Sequence, residues 1–174
     1  MELCVMLHRR TLLGFCTVLF AARSVRAASL AAPAGKVLLT VRGKIANTNA
    51  DGSARFDLAM LDALPQGRFE GETPWTKGKT VFTGPLGSAI LDAVGASGTT
   101  MRVAALNDYS ADVPVSDFRK HAVILATRHD GALMPVREQG PLWVIYPMDK
   151  EPDLRIESTY TRSVWQVTAI DITG

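Results

Sequence analysis

Apolar and polar residues alternate between Lys36 and Ala46, around Val37, Leu39, Val41 and Gly43, which predicts a strand with one buried face. Asn, Asp and Gly gather over Asn47 to Ser53 and predict a turn or hairpin. The period changes over Asp57 to Leu64, where Leu58, Leu61 and Leu64 recur at helical spacing, with Asp57 as N-cap and Pro65 ending the run. Arg68 to Thr73 and Lys79 to Thr83 read as strands around a loop holding Pro74, Trp75 and Gly78. Pro85 to Val94 reads as a helix stopped by Gly95, its apolar face being Leu86, Ile90, Leu91 and Val94. Met101 to Leu106, His121 to Thr127, Leu142 to Tyr146 and Val164 to Ile172 are apolar, β-branched runs bounded by turn residues. The expected class is α+β, mostly β in mixed sheets with a few short helices. The glycines at 84, 87, 95 and 98 suit turns and helix ends, so a Rossmann-type nucleotide loop is not expected.

The N-terminus follows a different pattern. Arg9 and Arg10 precede an apolar run of about a dozen residues, Thr11 to Ala22, too short to span a bilayer. Val25 and Ala27 then present small residues at signal-peptidase spacing, so residues 1–27 read as a signal peptide with cleavage before Ala28. The expected location is the periplasm, with no membrane insertion after cleavage. Arg9, Arg10, Thr11, Leu12 and Leu13 loosely resemble a twin-arginine leader, and an ordinary secretory leader fits the same letters, so the route stays open. Residues 28–35 read as a flexible tether, and residues 36–174 as a single domain large enough to bury about two thirds of its unfolded surface.

Export changes the charge. The leader carries four of the 19 Lys and Arg and one of the 17 Asp and Glu, so the formal +2 becomes −1 after cleavage. No block of like charge remains, which argues against nucleic acid and anionic membrane surfaces as partners. Both cysteines, Cys4 and Cys16, lie in the leader, which removes disulfides, thiol nucleophiles and cysteine-ligated metals from the mature domain.

Four ordered segments resemble the small exported members of the sulfite oxidase-like, molybdopterin-binding oxidoreductase family. They are TPWTKGKTVFTGPLGSAILDAVGA (Thr73 to Ala96), ALNDYSADVP (Ala105 to Pro114), ILATRHDGALMPVREQGPLWVIYP (Ile124 to Pro147) and VWQVTAIDI (Val164 to Ile172). The resemblance implies a sulfite oxidase-like fold and a molybdopterin cofactor. It also implies a molybdenum-ligating cysteine upstream of the Leu-rich helix, a soft thiolate suited to that metal. No cysteine follows Ala28. Two cationic phosphate ligands are implied as well, an Arg two residues after the Gly-Pro and a Lys before the last tryptophan; these positions hold Trp143 and Val164. Arg128, Arg137 and Arg162 are the cations left to approach an anionic ligand.

The candidate ligand pocket comprises Trp75, Asn107, Tyr109, Arg128, Arg137, Trp143 and Tyr146. Asn107 and Tyr109 follow a strand end, where loop side chains converge on ligands, although a capped turn explains the same letters. Trp75, Trp143 and Tyr146 are amphipathic aromatics that either line a pocket or pack the core. Arg137 sits in a turn and suits a carboxylate or a phosphate as well as a neighbouring acid. Trp165, inside the last strand, is expected in the core. His129 between Arg128 and Asp130 suits acid–base work or a polar hairpin tip. No zinc site is expected from His121 and His129, and Ser88 lacks a nucleophile elbow.

Catalytic and metal residues are therefore not assigned. The expected function is an exported domain that has lost molybdenum ligation and serves as a small-molecule-binding or sensory module, for a small molecule or a membrane or periplasmic signalling or redox protein. The alternative is a molybdopterin-dependent oxidoreductase that binds its cofactor without cysteine; a structural interaction protein is third.

Overall fold

The structure is a computed structural model describing residues 30–174; the signal peptide expected over residues 1–27, like both cysteines, lies outside the described residues. The strands are β1 (Val37–Gly43), β2 (Ala54–Asp57), β3 (Gln66–Gly71), β4 (Thr80–Pro85), β5 (Thr100–Ala105), β6 (Ser110–Pro114), β7 (Ile124–Ala126), β8 (Arg128–His129), β9 (Ala132–Leu133), β10 (Trp143–Ile145) and β11 (Val167–Thr173). Four short helices join them: α1 (Leu58–Asp62), α2 (Gly87–Val94), α3 (Val115–Lys120) and α4 (Glu157–Arg162). The class is α+β with strands dominant. Among the described residues no helix is long and apolar enough to cross a membrane.

The largest sheet has five strands in the order β2-β1-β11-β5-β6, with β1 and β11, first and last in the chain, paired in parallel at its centre. Alternation makes the sheet one-faced. Leu39, Val41, Met101, Val103, Val113, Ile170 and Ile172 point into one core cluster with Ile90, Leu91 and Val94 of α2. On the other face Arg42, Asp171, Arg102 and Asp112 stand in register across four strands, with Arg42–Asp171 and Arg102–Asp112 pairs at 3.1 Å.

A second sheet runs β3-β4-β8-β9, and β7 pairs antiparallel with β10. All six residues of β7 and β10 are buried, which fits their unbroken apolar runs. Residues 128–133 form the β8–β9 hairpin, where His129 stacks on Phe82 at 5.7 Å and Nε2 lies 3.2 Å from Asp130 Oδ2. That is the hairpin-tip arrangement.

Local capping follows the side-chain chemistry. Asp57 caps α1: Oδ1 accepts the Met60 N–H at 2.9 Å. Its Oδ2 accepts the N–H groups of Ala34 and Gly35, each at 2.8 Å, while Asn49 Nδ2 donates to the Ala31 carbonyl at 2.7 Å. Residues 31–35, expected as a free tether, are thus hydrogen-bonded to the fold, because a buried carboxylate with two oxygens recruits more donors than the helix end supplies. Gly95 ends α2 in the left-handed region at φ 60°, so that its N–H and that of Ala96 reach back to the last carbonyls.

The Met60 and Gly35 N–H groups hold the Asp57 carboxyl below its ordinary value of 3.8. A lowered folded-state value stabilises the fold above the unfolded value, and the contribution is lost as pH falls through the folded one. Asp57→Asn, with one acceptor oxygen in place of two, is expected to lower the melting temperature at neutral pH. The gap from wild type should close below 3.8 in melts run as a pH series. A gap unchanged at acid pH would contradict the role given to the carboxylate.

Candidate functional site

Three segments distant in sequence converge at one end of the five-stranded sheet. The loop between β3 and β4 presents Trp75, whose backbone N–H donates to Thr73 Oγ1 at 3.3 Å. The β5–β6 turn presents Asn107 and Tyr109. Asn107 Oδ1 accepts the Tyr109 N–H at 3.3 Å and Asp108 takes φ 66°, so Asn107 and Asp108 do shape a capped turn while Tyr109 points away from it. The third segment is α4 with the link to β11, which contributes Tyr160, Thr161, Ser163, Val164 and Trp165. Between them lies a pocket of about 310 Å³.

Hydrogen bonds tie the segments together. The Tyr109 hydroxyl donates to the Thr161 carbonyl at 3.0 Å and bridges the turn to α4. Beneath the pocket Trp143 is 1% exposed and donates its indole N–H to the Ser163 carbonyl at 3.1 Å. Trp75 meets Trp143, Tyr160 and Trp165 edge to face, with ring centroids 5.8, 5.9 and 5.9 Å apart.

Trp165 was expected in the core and is instead a half-buried wall of the pocket. The cause is Gln166, held at φ 54°, which interrupts the alternation before β11 begins. Three contacts fix it there: its N–H donates to the Gln139 carbonyl at 2.9 Å, its Nε2 to the Val136 carbonyl at 2.7 Å, and its carbonyl accepts the Leu106 N–H at 2.9 Å.

Of the seven residues expected at a site, Trp75, Asn107 and Tyr109 line this pocket, and Trp143 is buried behind it, packed on Trp75. The other three lie elsewhere. Tyr146 is buried and donates to Asp117 Oδ2 at 2.9 Å; burial first, then the Asp117 charge, push its phenol far above the usual tyrosine range. Arg128 forks onto Asp62 at 2.6 and 2.8 Å, which holds the Asp62 carboxyl below its ordinary range. Arg137 is 84% exposed beside Glu138. Arg162 is paired to Asp117 at 3.2 Å. Tyr160, Thr161, Ser163 and Val164 were not anticipated, because α4 carries no apolar stripe to announce it.

The fold is sulfite oxidase-like. A solved structure sharing it is the sulfane dehydrogenase SoxCD from Paracoccus pantotrophus, at 17% sequence identity and a TM-score of 0.57, over 78% of this chain. The match spans 37% of that enzyme's chain. No family model matches the sequence, and no curated protein matches it.

The residues present do not fit the molybdopterin that this fold family implies. The two positions expected to carry cationic phosphate ligands are Trp143 and Val164, 1% and 2% exposed; Val164 is an apolar wall of the pocket, and Trp143 is buried behind its aromatic lining. Residues 30–174 contain no cysteine to hold the metal. Among the described residues no three His, Cys, Asp or Glu side chains come together either.

Proposed function

We propose that this chain is an exported, periplasmic ligand-binding module on a sulfite oxidase-like scaffold that has given up molybdenum ligation, serving a small molecule or a membrane or periplasmic signalling or redox partner. One observation carries the reading: where the resemblance expects two phosphate-binding cations, the chain holds Val164, an apolar wall of a pocket ringed by aromatics, and Trp143, buried behind that ring. A pocket of about 310 Å³ is at the small end of the range for small-molecule sites, about 300–1,000 Å³, and apolar walls with a few polar groups are their usual make-up. The fold likeness to a dehydrogenase supports the scaffold and leaves the chemistry to the site.

Elemental analysis of the protein purified from its native compartment tests the reading. The expected result is molybdenum far below one atom per chain. Stoichiometric molybdenum would overturn it in favour of an oxidoreductase that holds its cofactor without a cysteine.

A further inference from the structure

We propose that the aromatic pocket binds an organic ammonium cation, of the methylated kind that carries its charge on a rounded, apolar surface. The inference rests on the reading of this pocket as the ligand site and adds the ligand's chemistry.

The wall composition argues first. Tyr109, Tyr160, Trp75 and Trp165 line the pocket, and the side chains beside them are uncharged: Ala105, Asn107, Thr161, Ser163 and Val164. An anion would find no cation in the lining, and the nearby Arg162 is engaged by Asp117. Aromatic faces carry the negative side of a quadrupole, so a ring of them is attractive to positive charge without any carboxylate, and tryptophan is the strongest of the three.

Ring orientation argues second. The planes of Trp75 and Tyr160 stand at 88° and those of Trp75 and Trp165 at 73°. A flat ligand is best held between two parallel faces, and these contacting ring pairs, packed edge to face, supply no such slot, which leaves a compact, nearly spherical group as the better fit. A methylated ammonium head is compact and loses little hydration on entry, because its charge is already shielded by methyl groups. The Asn107 amide in the lining can orient a polar tail on the same ligand.

The walls are also fixed before any ligand arrives. The hydroxyl of Tyr109 is anchored on Thr161, and Trp75 and Trp165 rest on the buried Trp143. A preorganised ring spends little ordering entropy on binding.

Choline and its uncharged isostere 3,3-dimethylbutan-1-ol separate charge from shape. The purified protein is titrated with each, with indole itself as a flat aromatic control, following the side-chain indole N–H signals of Trp75 and Trp165 by NMR. Choline is expected to saturate both signals, with the neutral isostere at least about tenfold weaker, the ratio set by roughly 1.4 kcal/mol. Trp165→Leu should weaken choline by a similar factor while leaving the isostere within about threefold. Equal or tighter binding of the isostere overturns the proposal, as does failure of choline to saturate by about 10 mM, a concentration that detects even a millimolar site. If the isostere or indole saturates those signals and choline does not, the ammonium inference falls and the small-molecule reading stands. If no probe moves them, the ammonium inference falls, and the molybdenum assay decides the reading beneath it. The wild-type comparison decides even where Trp165→Leu fails to fold.

Discussion

Trp143→Ala is expected to lower the free energy of unfolding by about 3–5 kcal/mol, seen as a fall in denaturant midpoint at an unchanged slope. The indole is 1% exposed and fills the space where the second sheet, the β7–β10 pair and the pocket meet. It packs edge to face on Phe82 at 5.2 Å, on Trp75 at 5.8 Å and on Trp165 at 6.1 Å. Removing it opens a void that these rings can only partly fill, and leaves the Ser163 carbonyl without its donor. Trp143→Phe keeps most of the packing and should cost less, about 1–2 kcal/mol. Trp143→Arg, the residue that the family resemblance expects, should be worse than alanine, because it buries a guanidinium among rings. A loss below about 1 kcal/mol for the alanine variant would contradict the packing described.

Gly84→Ala is expected to cost about 3 kcal/mol or more, and to do so by overpacking. A Cβ on Gly84 would lie 2.1 Å from the Leu125 carbonyl oxygen and 2.7 Å from the Ala126 Cα. Both are backbone atoms of β7, whose residues are buried, so no flexible side chain can move aside. The glycine lets the β4 backbone lie directly on β7, and this approach joins the second sheet to the β7–β10 pair. Equilibrium unfolding in urea measures the loss; an alanine variant within about 0.5 kcal/mol of wild type would mean that the two backbones are not so close.

Much of the scaffold was legible in the sequence because its causes are local. The alternation in β1 and β5 gave single-faced strands, and Asp57 with Leu58 and Leu61 gave a capped helix. Gly95 marked the end of α2 because a left-handed residue was needed there. Elements with little local signal were missed. α4 spans six residues and buries only Thr159, and α3 buries only Val115 and Phe118. β6 alternates correctly through Ala111 and Val113, but Asp112 and Pro114 hid it among turn letters.

The candidate site was legible only as far as individual residue types. Asn107 and Tyr109 were visible as a strand-end turn, and Trp75 as an aromatic in a loop. Their meeting with Tyr160 and Trp165 depends on contacts between residues up to 90 positions apart, from Trp75 to Trp165. Trp165 shows the limit clearly: its apolar run reads as core, and a single left-handed residue, Gln166, turns it to the pocket. That conformation follows from three distant hydrogen-bond partners and leaves no local trace.

The row Arg42, Asp171, Arg102, Asp112 on the open face of the five-stranded sheet consists of exposed pairs, worth little to native stability. Its value lies in the pairings it forbids. A slip of one residue in β11 would carry Asp171 to the core side and bring an apolar residue out, and a slip of two would break the plus–minus sequence with both neighbours. Because β1 and β11 come from opposite ends of the described chain, their parallel pairing is the contact most exposed to error during folding. The four charges favour the native register over its neighbours: neutralising them should leave the folded protein almost as stable while lowering the yield of native protein on refolding from urea.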